Sequence, residues 1–135
     1  MKAYKINVSV VYSDEFYLNI TRINELISHL KLAGFNVNTG EDIYSSDYVI
    51  VIGTPDLIPN KEYELREVSK YKLSKGRNKV FSLMFYGDES LLPFSLQGEN
   101  VIHGERIDAY AYTKVFFELL SLLCPNANIR PPYKL

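Results

Sequence analysis

Residues 48–52, YVIVI, are five apolar residues in a row with no alternation. Successive side chains of a strand point to opposite faces, so a strand wetted on one side alternates apolar and polar residues. An unbroken apolar run is covered on both sides, the situation of a central strand in a parallel sheet. This one stretch therefore demands neighbouring strands on either side and a layer of helices above and below.

The rest of the chain supplies them in order. Residues 5–11, KINVSVV, place Ile6, Val8 and Val10 on one face and Asn7 and Ser9 on the other, which is strand period. From Tyr17 to Leu32, the residues Ile20, Ile23, Ile27 and Leu30 recur at helical steps, and Gly34 suits the helix end. FNV at 35–37 predicts a short strand, NTGED a turn, and IYSS the link to the apolar run. After GTPDLIPN, Asn60 is the expected N-cap of a helix over 61–75, ended by KGRN. KVFSLMF at 79–85 is the next strand, YGDESLLPFSLQG a loop with one helical turn, and NVIHG a short last strand. A final helix runs from Asp108 to Leu123, with Tyr112, Phe116, Leu119 and Leu123 on its buried face and Pro125 as its stop.

Strands alternating with helices predict right-handed crossovers and a parallel sheet covered on both faces. Five strands in 135 residues fit an α/β flavodoxin-like three-layer sandwich with strand order 2-1-3-4-5. Residues 1–124 form the domain and 125–135 read as a tail or a linker. Ligands of such sheets bind at the carboxyl ends of the strands, where the strand order reverses. The loops YSDEF, after the first strand, and GTPDLIPN, after the third, should flank any pocket.

Composition narrows the chemistry. Fifteen basic residues against sixteen acidic ones leave a net charge of −1, which supplies no bulk field for nucleic acid or an anionic membrane. The longest apolar runs, YVIVIG and VFFELLSLLC, are too short or too interrupted to span a bilayer. One cysteine, Cys124, excludes an internal disulfide, and with the scattered His29 and His103 it makes no recognisable zinc site. The expectation is a cytoplasmic domain without a metal. Three glutamates, Glu62, Glu64 and Glu67, crowd the start of the helix after the central strand. They are either solvated charges at a favourable helix end or include one that faces a pocket.

VSVVYSDE, LKLAGFNV, SSDYVIVIGTPDL, KVFSLMFYGD, PFSLQGENVIHGE and YTKVFFELLSLL, in that order, resemble the Toll/interleukin-1 receptor (TIR) domain family of the bacterial type. VSVVYSDE resembles the family's first motif, a strand ending in Ser-Tyr-Ser before an acidic residue. LKLAGFNV is similar to the end of its first helix and second strand, and SSDYVIVIGTPDL to its S-x-x-x-I-V-V-L-S-P-x-Y run. KVFSLMFYGD, PFSLQGENVIHGE and YTKVFFELLSLL resemble the fourth strand, the short fifth strand and the last helix, so the likeness covers about residues 4–123. The chain departs from the pattern in its second loop, where NTGEDIYSS replaces a longer segment with an Arg-Asp…Pro-Gly motif, a shortening similar to SEFIR domains. Ser82 stands where many members have proline, and Tyr63 where many have tryptophan.

The resemblance implies an NAD+ hydrolase: NAD+ is a substrate, no cofactor is needed, and one carboxylate serves cleavage of the nicotinamide N-glycosidic bond. Members carry that glutamate four residues after the tryptophan, a spacing kept by Tyr63 and Glu67, with Glu64 as the alternative alignment. Ser13 and Asp14 would hydrogen-bond substrate, or else cap the first helix. Phe16, Tyr44 and Tyr63 would stack on the nicotinamide or adenine, or else pack ordinarily. The resemblance also implies self-association on activation and a fused or partner sensor domain. The other readings of the same sheet are a non-catalytic TIR- or SEFIR-like interaction module and a nucleoside deoxyribosyltransferase-like enzyme.

Overall fold

A computed structural model describes residues 6–15, 20–84, 88–103 and 109–124. A five-stranded parallel sheet runs in the order β2-β1-β3-β4-β5. Its strands are β1 (Asn7–Val11), β2 (Asn36–Asn38), β3 (Tyr48–Gly53), β4 (Val80–Met84) and β5 (Val101–His103). The helices are α1 (Ile20–Leu32), α2 (Leu57–Asn60), α3 (Glu62–Lys75) and α4 (Ala109–Leu123). The expected flavodoxin-like arrangement is present. β1 pairs in parallel with β3, with Val8 opposite Tyr48 and Val11 opposite Val51.

The unbroken apolar run does what its lack of alternation requires. Ile50 and Ile52 join Val8, Val10, Ile23, Leu26, Leu30, Tyr112 and Leu119 in a core between the sheet and the α1/α4 layer. Val49 and Val51 face the other way, into a core with Leu57, Leu65, Val68, Tyr71 and Leu96 under α2 and α3. Residues 49–52 are all fully buried. Truncating any one of these aliphatic chains leaves a cavity worth about 2–5 kcal/mol for a Leu or Ile to Ala change.

β1 starts at Asn7 rather than at residue 5, part of GTPDLIPN folds as α2 rather than as loop, and three further differences from the sequence reading have a visible cause. β2 lies one residue later than FNV, at Asn36–Asn38, because its register is set by β1: Asn7 opposes Asn36 and Ser9 opposes Asn38. β4 starts at Val80, since Arg77–Lys79 close into a 3-10 turn after Gly76. Asn60 is not the N-cap of the long helix: it ends α2, Lys61 is the N-cap of α3, and no side chain caps it. Instead the Asn60 amide donates to Glu15 at 3.0 Å and to Ser13 Oγ at 3.4 Å, tying α2 to the loop after β1. The predicted helix starts at Tyr17 and Asp108, the strand residue Phe85, the site residue Phe16 and the tail 125–135 lie outside the described residues.

Candidate functional site

The sheet order places the ends of β2 and β1 side by side, next to β3, and the reversal of strand order falls there. At that point a hollow of about 260 Å3 is lined by Tyr12, Asp14, Thr39, Glu41 and Lys61. Three segments meet in it: the loop after β1, the β2–β3 connection, and the start of α3.

The Glu41 carboxylate of the hollow is held in place by local hydrogen bonds. The Thr39 backbone N–H donates to Glu41 at 2.7 Å and its hydroxyl donates to the other carboxylate oxygen at 2.6 Å. The Thr39 hydroxyl, helped by backbone N–H groups and by Lys61, holds the Glu41 carboxyl below the usual carboxylate range. Tyr12 is pushed the other way: burial, then the charges of Asp14 and Glu41, raise its phenol. The connection itself is shaped by Asn38, whose side-chain oxygen accepts from Ser9 Oγ at 2.8 Å, Gly40 N at 3.1 Å and Asp42 N at 3.4 Å. Gly40 sits at φ +95°, a conformation that L side chains rarely adopt.

From the hollow, Lys61, Glu64 and Glu67 follow at steps of three along the side of α3 that faces the β2–β3 connection. Six helical residues span about 9 Å. Lys61 lines the hollow. A Cβ on Gly40 would lie 3.8 Å from Glu64 Cγ and 3.9 Å from Val11, so the Glu64 stem packs against the turn and the end of β1. Glu67 meets Tyr44: after burial, a hydrogen bond and the charge of Glu67 push the Tyr44 phenol up, with Tyr63 adding a smaller effect. Glu67 also lies 3.6 Å from Lys70 Nζ. Tyr44 and Tyr63 are 44% and 65% exposed, whereas the Glu67 side chain is only 19% exposed, so two open aromatic rings lie near a half-covered carboxylate. The connection that carries Tyr44 is pinned from below, where the buried Tyr71 hydroxyl donates to the Ser46 carbonyl at 2.8 Å.

Of the residues singled out in the sequence, the structure brings Tyr44, Tyr63 and Glu67 together, and puts Asp14 in the hollow. Glu64 is the helix glutamate that touches the Gly40 turn, while Glu67 reaches the later part of the connection. Ser13 is 1% exposed and its hydroxyl donates to Asp56 at 2.6 Å, so it clamps the loops after β1 and β3 together. Thr54, equally buried, donates to the other oxygen of Asp56 at 2.6 Å. Tyr12, Thr39, Glu41 and Lys61 were missed. NTGED by itself reads only as a turn, although the expected order 2-1-3 already sets the end of β2 beside the end of β1. His29 and His103 are drawn into structural contacts, with the Tyr112 hydroxyl at 2.8 Å and Glu89 at 3.1 Å respectively.

Fold and site together define a flavodoxin-like α/β domain with a polar strip, rich in carboxylates and flanked by tyrosines, at its topological switch point. Among the described residues, no helix is long and apolar enough to cross a membrane, and no group of three or more His, Cys, Asp or Glu side chains is placed to hold a metal ion. Comparison with family models and with curated proteins finds no match for the chain.

Proposed function

We propose that this chain is a TIR-like domain that hydrolyses NAD+ to nicotinamide and an ADP-ribosyl product, acting as a cytoplasmic effector of a bacterial immune system. The observation that carries the reading is the Glu67 carboxylate meeting the exposed Tyr44, with the exposed Tyr63 close to Tyr44 and one helical turn before Glu67 on α3. Nicotinamide leaves readily because its ring nitrogen is cationic, so no strong acid is required. The ribose carbon develops oxocarbenium character as the bond to that nitrogen breaks. A fixed carboxylate beside the ribose stabilises the growing charge, and water then adds to the sugar and gives up a proton. In this reading Glu67 is the catalytic residue, Tyr63 and Tyr44 stack on the nicotinamide or adenine ring, and Asp14 is a substrate contact. Ser13 supports the site through its bond to Asp56. Association of copies, driven by a fused or partner sensor domain, completes the site.

The test is release of nicotinamide from NAD+ by the wild-type chain, Glu67→Gln, Glu64→Gln and Tyr63→Ala. Glutamine keeps the shape and removes the charge. Glu67→Gln should lower kcat by about 10²–10³, the usual loss when a transition-state charge partner is removed. Tyr63→Ala should act mainly on KM. A loss confined to Glu64→Gln moves the catalytic role one turn along the strip. No release by any variant at any protein concentration leaves the chain a non-catalytic interaction module, and exchange of a free base into a deoxynucleoside would make it a deoxyribosyltransferase-like enzyme.

A further inference from the structure

The opposite side of α3 carries a second feature. A hollow of about 300 Å3 is lined by Ile58, Glu62, Leu65, Arg66 and Pro93. Leu65 is buried and forms an apolar floor, and Ile58 and Pro93 form apolar walls. Glu62 and Arg66 stand one turn apart on the rim, both exposed, and neither enters an ion pair among the described residues.

Directly beside the hollow is a knob. Phe94 is 89% exposed, the outermost of the large aromatic side chains described. It follows Pro93, which lines the hollow, and opens the 3-10 turn Phe94–Leu96. That turn is tied down: Leu96 is buried, Lys72 Nζ donates to the Ser95 carbonyl at 2.7 Å, and the Ser69 and Ser95 hydroxyls lie 3.0 Å apart. The ring is thus presented to solvent by a tethered turn, which lowers the ordering cost of binding through it.

A surface with a knob, an adjacent hole of aromatic size, and one charge of each sign is complementary to itself under a two-fold rotation. We infer that this face of α3 is a self-association surface, in which Phe94 of each copy enters the hollow of the other and Glu62 of each meets Arg66 of the other. An unrelated partner would have to bring an aromatic knob and two matched charges of its own, whereas a second copy carries all three. This surface lies on the side of α3 away from Glu67, so the inference is separate from the association that completes the site in the functional reading above and does not rest on NAD+ cleavage.

The experiment is sedimentation velocity over a wide protein concentration range, without NAD+. Wild type should show a concentration-dependent dimer. Phe94→Ser should raise the dissociation constant at least about tenfold, as expected for loss of a central aromatic anchor, with the thermal midpoint unchanged because the ring is exposed. Glu62→Arg and Arg66→Glu should each weaken the dimer by setting like charges together. The double variant Glu62→Arg/Arg66→Glu should restore it, because reversing both charges restores the pairing across the two-fold axis. A wild-type monomer at all concentrations, a dimer indifferent to Phe94→Ser, or a double variant no better than the singles overturns the inference. Nicotinamide release, measured separately, reports on the catalytic reading.

Discussion

Gly53 closes β3 at the edge of the switch point, and its substitution by alanine tests the packing there with a sign that can be reversed. A Cβ at Gly53 would fall 2.3 Å from Met84 Sδ, 2.7 Å from Met84 Cε and 3.2 Å from Leu92 Cδ2. Ordinary contacts need about 3.5–4.0 Å, so the added methyl overlaps the methionine by more than about 1 Å. Met84 is fully buried and Leu92 1% exposed, so neither can swing out into solvent and the methionine end must shift within the core. Two effects compete in Gly53→Ala. Restricting the unfolded chain stabilises by about 0.4–1 kcal/mol, while forcing a methyl into a filled core costs about 1–3 kcal/mol. Overpacking wins, and the variant should lose roughly 0.5–2 kcal/mol in urea unfolding. Met84→Ala alone should cost about 2–5 kcal/mol, since it leaves a cavity. In that background the new methyl enters the vacated space, and Gly53→Ala should become neutral or stabilising. The two changes are therefore coupled, by at least about 1 kcal/mol. Additive losses in the double-mutant cycle would refute the argument, because they would mean that Met84 was never the obstacle.

Two further outcomes follow from buried or fixed polar groups. Tyr71→Phe removes the only hydroxyl bonded to the Ser46 carbonyl among the described residues and should cost about 1–2 kcal/mol, with faster amide exchange in residues 39–47. Burial, then Asp47 and Tyr48, push the Tyr71 phenol up to about 12. Its contribution to stability is fully present below the unfolded value of about 10 and is lost as pH rises through the folded one, so Tyr71→Phe should flatten part of the alkaline limb of a stability–pH profile. Glu89 is shifted the opposite way: the Gly98 N–H, donating at 2.6 Å, and then His103 hold its carboxyl below the usual range. Its contribution is present above the unfolded pKa and lost as pH falls through the folded one, so Glu89→Gln should flatten part of the acid limb in urea titrations between about pH 3 and pH 6.

The elements and their order were legible in the chain itself. Alternation at Ile6, Val8 and Val10 and its absence at 48–52 are local consequences of where successive Cβ atoms point, so they survive without any tertiary information. Right-handed crossovers then leave few ways to arrange five strands, and the sheet has the expected order. The roles of the site residues were not legible to the same degree. Glu64 and Glu67 lie one turn apart on the same side of α3, and no helical period separates them. What separates them is the β2–β3 connection, which sets the Gly40 turn against one and Tyr44 against the other. Thr39 and Glu41 looked like turn residues because a turn is all that their neighbours require, and only the meeting of three chain segments made them walls of a hollow. Asn60 had the right chemistry and position for a helix cap, but hydrogen-bond partners some forty-five residues away in sequence were within reach of its amide. Periodicity is a property of neighbours along the chain, whereas a hydrogen-bond partner is chosen by proximity in space, and that choice belonged to the tertiary structure.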